Sequence, residues 1–153
     1  MRLIEARMID AIRYLIGAAD YAGCKLSCDN TTVSQHHHGI AHTPGYQRII
    51  SIRLHGNEIA AIRPLEGTVW VSDCGWRTAT TKSRLNVIIG ALTIPSSNAH
   101  TTRGISQRKG QWYQTTPAGT IYAWIGSDVF PLVLDSDNYY LQQAERLSIK
   151  PHR

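Results

Sequence analysis

The sequence between Leu54 and Leu92 changes its hydrophobic period once, and this change constrains the fold more than any other feature. Up to residue 72, short runs rich in Ile and Val alternate with Gly- and Pro-containing turns, which predicts antiparallel strands joined by tight connections. Beyond residue 76 the apolar residues repeat instead at i, i+3, i+4 and i+7, on one face of a helix: Leu85, Ile88, Ile89 and Leu92. A chain with this switch has to pack a helix beside a sheet.

The same two periods extend the prediction to the rest of the chain. Strands are predicted over 48–54, 59–63 and 68–72 before this helix, and over 105–108, 111–114, 120–125 and 129–134 after it. The polar stretch 24–45 is predicted to hold one short strand near 32–35. Pro131 cannot donate a ladder hydrogen bond, so the last strand is expected at a sheet edge. An amphipathic helix is predicted at the N-terminus, where one face carries Ile4, Met8, Ile12 and Leu15.

These elements predict one small α+β domain over residues 1–134, followed by a polar C-terminal tail at 135–153. The expected architecture is a mainly antiparallel sheet of about six strands, with an N-terminal helix and one central helix in the order α-β-β-β-α-β-β-β. The tail is expected to hold no more than one helical turn, near 140–146.

Positive charge is concentrated in the middle of the chain. Residues 44–120 hold nine basic and three acidic side chains, whereas the two flanking segments are nearly balanced. A concentrated positive region raises the local potential and favours anionic partners. The charge pattern therefore predicts a nucleic acid or a nucleotide-like anion as the partner.

The start of the central helix carries the most specific part of this charge. A helix N-terminus has unpaired N–H groups and a partial positive charge, so acidic neighbours are expected there. Basic and hydroxyl side chains occur instead, with Thr80 or Thr81 as the expected N-cap, and no acid lies between Asp73 and Asp128. We therefore predict an anion site with ligands from the helix start and from the loop and hairpin that follow: Arg77, Thr78, Thr80, Thr81, Lys82, Ser83, Arg84, Arg103, Arg108 and Lys109.

The tryptophans alternate with this basic region. Exposed aromatic side chains beside Arg and Lys can stack on nucleic-acid bases. Trp76 and Trp112 lie near glycines, so we predict that both are exposed and contact a partner. The alternation along their strands predicts that Trp70 and Trp124 belong to the core.

No motif for metal binding or catalysis is complete. Cys24, Cys28, His36 and His38 are weak candidates for a metal site, because their spacing matches no well-defined zinc pattern. The paired His-x-Thr motif of some phosphodiesterases is broken, since Pro44 replaces the hydroxyl residue of the first copy. A P-loop would need a glycine in place of Thr81. We therefore expect a non-enzymatic protein without a cofactor.

The sequence also predicts the compartment. No apolar run approaches the roughly 20 residues that span a bilayer, so no membrane partner is expected. The three cysteines cannot all close disulfides within the chain. Both features predict a cytoplasmic protein.

Five segments of the chain have distinctive sequences: 54–60 (LHGNEIA), 75–86 (GWRTATTKSRLN), 107–113 (QRKGQWY), 8–13 and 30–33. In these segments the chain resembles a family of small tailed-phage proteins. The resemblance extends over roughly residues 8–125. It implies a phage-encoded accessory protein in the cytoplasm of the infected bacterial host, and it carries over no catalytic residue.

Three functions follow as hypotheses. The leading one is a non-enzymatic protein that binds nucleic acid or a phosphorylated small molecule through the basic helix start. An alternative is an inhibitor of a host protein, such as an anti-defence factor, which requires an exposed aromatic patch. A second alternative is a virion or assembly component, a homo-oligomer whose edge strand pairs with another copy.

Overall fold

The computed structural model describes residues 1–94, 104–116, 118–134, 142 and 144–147. The predicted α+β class and the order of its elements are confirmed. The described elements are α1 (Leu3–Gly17), β1 (Gly23–Cys28), β2 (Thr31–His38), β3 (Gln47–Leu54), β4 (Asn57–Arg63), β5 (Thr68–Ser72), α2 (Ala79–Thr93), β6 (Gly104–Arg108), β7 (Gln111–Thr115), β8 (Ile121–Ala123) and β9 (Ser127–Pro131).

Six of the strands form one antiparallel sheet in the order β1-β2-β3-β4-β5-β9. Short hairpin connections build its first five strands in sequence. β9 then returns to pair with β5, which places Pro131 on an edge strand, as predicted. The strands β6, β7 and β8 form a second antiparallel sheet.

The polar stretch 24–45 contains two strands where one was predicted. β1 and β2 form a hairpin whose turn residues Asp29 and Asn30 adopt left-handed backbone angles, with φ of 48° and 63°. Thr31 and Gln35 on β2 are almost fully buried although they are polar. Because these inward positions carry no apolar side chain, hydrophobic alternation did not reveal the length of the strand.

Both helices pack on one face of the large sheet. α1 packs against β1, β2 and β3, and α2 packs against β4 and β5 and also against β6. The strands contribute Val33, Ile50, Ile52, Ile62, Val69 and Val71 to the core between them. The helical faces predicted from the sequence are buried in the same core, and each such side chain contributes about 1.5–3 kcal/mol when it leaves water.

Of the two tryptophans predicted in the core, the structure places one there. Trp124 is 2% exposed and belongs to the core, as predicted. Trp70 alternates with the buried Val69 and Val71, so its half-buried ring lies on the face away from the helices. The prediction that Trp70 belongs to the core is therefore wrong, because β5 turns its two valines inward instead.

The segment predicted as a polar tail contributes to the core. Ala144 is fully buried, and Leu147 packs against the same cluster. The domain boundary at residue 134 stays a prediction.

A buried ion pair joins the two helices. Glu5 Oε2 accepts hydrogen bonds from Arg84 Nη1 at 3.0 Å and from Ser83 Oγ at 2.5 Å. Its Oε1 accepts the Arg2 backbone N–H at 3.0 Å, and Arg84 Nε donates to Thr31 Oγ1 on β2 at 3.4 Å. The Glu5 and Arg84 side chains are only 2% and 4% exposed. The network therefore connects α1, α2 and β2 inside the protein.

The pKa of Glu5 reflects this network. Burial by itself raises the pKa, because desolvation disfavours the charged carboxylate. The hydrogen bonds from Ser83, the Arg2 backbone and Arg84, together with the Arg84 charge, outweigh burial and hold the pKa of Glu5 below its ordinary value. Glu5 is therefore the counter-charge of Arg84 at neutral pH.

Removing one partner of this pair should destabilise the protein more than removing both. Glu5→Leu leaves Arg84 buried without a counter-charge, so we expect the free energy of unfolding to fall by about 3–5 kcal/mol. The double variant Glu5→Leu, Arg84→Met buries no unpaired charge and should recover most of that loss. Urea unfolding of the four proteins of this cycle measures the coupling. Losses that simply add would contradict a coupled pair.

The stabilisation from ionised Glu5 should disappear in acid. The pKa of Glu5 in the folded protein lies below its ordinary value, so the stabilisation is complete above that ordinary value and is lost as pH falls through the folded pKa. We expect the difference in unfolding free energy between wild type and Glu5→Gln to shrink over this window. The matched control is Glu66→Gln, at an exposed carboxylate. A difference for Glu5→Gln that stays constant from neutral pH into acid would count against the assignment.

Candidate functional site

The start of α2 is capped by its own sequence. Thr78 is the N-cap, whereas Thr80 or Thr81 was predicted; its backbone is extended, with φ −98° and ψ 161°. Thr78 Oγ1 accepts the Thr81 N–H at 3.1 Å and lies 2.9 Å from Thr81 Oγ1. This bond satisfies one of the N–H groups that an anion would otherwise bind.

Three of the predicted anion ligands face the protein interior. Thr81 and Arg84 are each 3% exposed, and they share the helix face that also buries Leu85 and Ile88. Ser83 donates to Glu5, and the charge of Arg84 is balanced by the same carboxylate. Ser83 and Arg84 are thus bound within the protein, and Thr81, although nearly buried, lines the cleft described below. Their role as anion ligands stays a prediction.

Arg77 is positioned by the loop before α2. Its Nε donates to Asp73 Oδ2 at 3.2 Å, and its Nη2 donates to the Trp124 carbonyl at 3.2 Å. The guanidinium carbon lies 5.9 Å from the centre of the Trp112 ring. The Arg77 side chain remains 38% exposed, so it presents a fixed but partly neutralised cation.

Asp73 organises this loop, and sequence reasoning missed it. Besides Arg77, its carboxylate accepts the Gly75 N–H at 2.7 Å and Trp124 Nε1–H at 2.8 Å. The turn that follows is tight, because Cys74 and Gly75 both have positive φ, 54° and 79°. An acid followed two residues later by glycine and four residues later by arginine was the available sequence signal.

The β6–β7 hairpin lies against α2. Lys82 Nζ donates to Gln107 Oε1 at 3.2 Å. Asn86 on the next turn exchanges two hydrogen bonds with the Ile105 backbone, at 2.9 and 2.6 Å. These contacts fix the hairpin beside the first two turns of the helix.

The tip of this hairpin adds two exposed cations. Lys109 and Gly110 adopt left-handed angles, with φ of 50° and 79°, and form the predicted two-residue turn. The turn exposes Arg108 and Lys109. We call Arg77, Lys82, Arg108 and Lys109 the basic surface. Arg103, also predicted as a ligand, lies outside the described residues.

A cleft of about 520 Å³ opens beside the first turn of α2. Its walls include Trp76, which is 62% exposed as predicted, and the apolar Leu54 and Ile59. Thr78 and Thr80 add hydroxyl groups at the helix end of the cleft. Apolar walls with a few polar groups are typical of ligand sites.

Trp112 does not contribute to this exposed surface. It is 1% exposed, so the prediction that it is exposed is wrong. The alternation along β7 turns Gln111 outward and Trp112 into the core, where the ring packs below Arg77. Gly110 provides the positive φ of the hairpin turn, and its presence does not indicate that the nearby aromatic ring is exposed.

The histidines and cysteines that were weak candidates for a metal site do not lie close together. Cys24 lies on β1 opposite Ser34, and Cys28 lies near the far end of the same hairpin, opposite Thr31. His36 and His38 lie on the part of β2 that runs beyond β1, and both are exposed. Within the described ranges, no three His, Cys, Asp or Glu side chains are grouped closely enough to hold a metal ion.

The two tryptophans of the prediction should respond differently to truncation. Trp112→Ala removes a fully buried ring, so we expect a loss of about 3–5 kcal/mol in unfolding free energy. Trp76→Ala, the matched control, removes an exposed ring and should change stability by no more than about 0.5 kcal/mol. Urea unfolding followed by circular dichroism measures both. Equal losses would contradict the burial assigned to Trp112.

The comparisons with known proteins agree with a phage origin. The family model described as Kyanoviridae Gp96 protein matches residues 1–129, which include both helices and every strand of the large sheet except the last residues of β9. No curated protein matches the chain, and no solved structure matches it. The chain belongs to the Kyanoviridae Gp96 family of phage proteins.

Proposed function

We propose that this phage protein is a non-enzymatic accessory protein that binds nucleic acid through the basic surface. The observation that carries the proposal is that cations from the loop before α2, from α2 and from the β6–β7 hairpin lie beside an exposed tryptophan and a cleft: Arg77, Lys82, Arg108 and Lys109. Lys and Arg side chains bind phosphate oxygens, which supply most of the affinity in non-specific nucleic-acid binding.

The charge of the basic surface is only partly cancelled within the protein. Asp73 pairs with Arg77, but Lys82 meets the neutral amide of Gln107. Arg108 and Lys109 form no ion pair with any described residue. A net positive field therefore remains at the surface and attracts a polyanion.

The adjacent cleft favours a single strand over a duplex. Bases of a single strand are free to leave the stack, and an exposed indole contributes about 1–3 kcal/mol for each base it stacks on. Trp76 provides such a ring on the wall of the cleft. The phosphates would contact the cations, and one base would lie against Trp76.

The other hypotheses have less support. A phosphorylated small molecule would fill the cleft but would not need Arg108 and Lys109 at the hairpin tip. A host-protein inhibitor was expected to expose Trp76 and Trp112 side by side, and Trp112 is buried. A self-assembling virion component would pair through β9, whose edge position is its only support.

The site of action that we propose is the cytoplasm of the infected bacterial host. Cys24, Cys28 and Cys74 are free thiols, which suits a reducing compartment. In the described part of the chain, neither helix has the length and apolar character of a membrane span.

Salt dependence tests the proposed interface. Binding of a fluorescent single-stranded oligonucleotide should weaken with salt, and its log–log slope reports the number of phosphate contacts. We expect Lys82→Gln with Arg108→Gln to reduce the slope by about 1.4, because each contact contributes about 0.7 on single strands.

The matched control is Arg7→Gln with Arg13→Gln, which also removes two positive charges, but from α1. This variant should leave the slope nearly unchanged. Equal slopes in the two double variants would mean that only net charge matters, and salt-insensitive binding would exclude a phosphate contact altogether.

A further inference from the structure

A polar cluster covers the C-terminal end of α1. Gln35 Nε2 donates to the carbonyls of Ala18 and Tyr21, at 2.9 and 2.6 Å. His37 Nε2 lies 2.9 Å from the Tyr21 carbonyl and must donate to it, because a carbonyl only accepts. These bonds hold the segment that follows α1, since Ala18 is its C-cap residue and Tyr21 lies beyond it. α1 has no basic residue of its own in its last turn.

Arg48 on β3 completes this cluster with one nitrogen. Its Nη2 donates to the Leu15 and Ile16 carbonyls, at 2.9 and 3.2 Å, and to Gln35 Oε1 at 3.1 Å. The residue is 7% exposed. Within the described residues no carboxylate pairs with it, whereas the other buried arginine, Arg84, is paired with Glu5.

The rest of the guanidinium is not used. Nε is buried and has no hydrogen-bond partner. Nη1 also forms no hydrogen bond with the described residues. Unlike Nε it is not buried, so it reaches the surface. Capping of α1 uses only Nη2, so it gives no reason for the position of Nη1.

The exposed part of Arg48 opens into a cleft of about 610 Å³, which we call the α1 C-terminal cleft. Its other walls include Tyr46, whose hydroxyl lies 3.0 Å from His37 Nδ1, the exposed His42 and Leu65 from the β4–β5 turn. Asp20, also exposed, lies at the same cleft and forms no ion pair with Arg48.

The charge of Arg48 is incompletely balanced. A helix C-terminus offers about half of a negative charge, and Gln35 offers only a dipole. Removing a guanidinium from water costs several kcal/mol unless its charge is compensated and its donors are paired. An oxygen anion in the cleft would supply the missing charge and would accept from Nη1.

We propose that the α1 C-terminal cleft binds a small oxyanion, the carboxylate or phosphate group of a small molecule, on Arg48 Nη1. The site lies at the opposite end of α1 from the Glu5–Arg84 pair, and it does not depend on nucleic-acid binding at the basic surface. Asp20 opposes the same anion and sets the affinity low.

Nuclear magnetic resonance tests this site on the full chain, because the Arg48 Nε–H gives its own signal in a ¹⁵N spectrum. We expect inorganic phosphate or acetate to shift that signal and the backbone amide of Tyr46 in a saturable way. The anion that shifts them identifies the phosphate or the carboxylate as the ligand group. Asp20→Asn should tighten binding several-fold, whereas Asp10→Asn, at an exposed acid on the body of α1, should not.

Two further variants decide whether Arg48 is the ligand. Arg48→Lys keeps the charge but loses the planar fork, so binding should weaken by about tenfold or more. Since Arg48 also holds α1, this variant could fail to fold, and Leu65→Trp then narrows the cleft from the exposed turn without touching the cap. Phosphate and acetate that give no saturable shift, or equal affinities in Asp20→Asn and Asp10→Asn, would overturn the proposal. So would undiminished binding in Leu65→Trp.

Discussion

The ion pair between Glu5 and Arg84 is the contact on which the arrangement of both helices depends. It joins residues 79 positions apart and adds Ser83 and Thr31 to one buried network. Because a buried charge without a partner is strongly unfavourable, the pair disfavours relative positions of α1 and α2 that separate the two groups and favours the observed position. That position covers one face of the large sheet and brings the start of α2 to the surface.

The pair also changes the interpretation of the basic residues at the start of α2. Cations at a helix N-terminus oppose its dipole, and the sequence suggested that an external anion resolves the conflict. The fold resolves most of it internally, since Glu5 balances Arg84, Asp73 balances Arg77, and Thr78 caps the helix. The case for an anionic partner therefore rests on the exposed hairpin cations and Trp76, and much less on the helix terminus.

Local periodicity was sufficient to predict both helices and most strands, but not β1 or the full length of β2, and long-range pairing was not predictable in the same way. The face of Leu85 and Ile88, the turn at Lys109 and the edge position of Pro131 all follow from rules that act within a few residues. The roles of Arg84 and Asp73 depend on partners that only the folded chain brings close. Trp112 was predicted wrongly for a related reason, because its neighbouring glycine belongs to a turn while β7 directs its ring inward.

We propose that nucleic acid binds the cations that the fold leaves exposed, with the partly neutralised Arg77 beside them. Mapping backbone amide shifts on adding a single-stranded oligonucleotide tests it most directly. We expect the largest shifts at residues 76–82 and 107–110, with the buried network around Glu5 unaffected. Largest shifts elsewhere, for example on the open face of the sheet around Trp70, would contradict it.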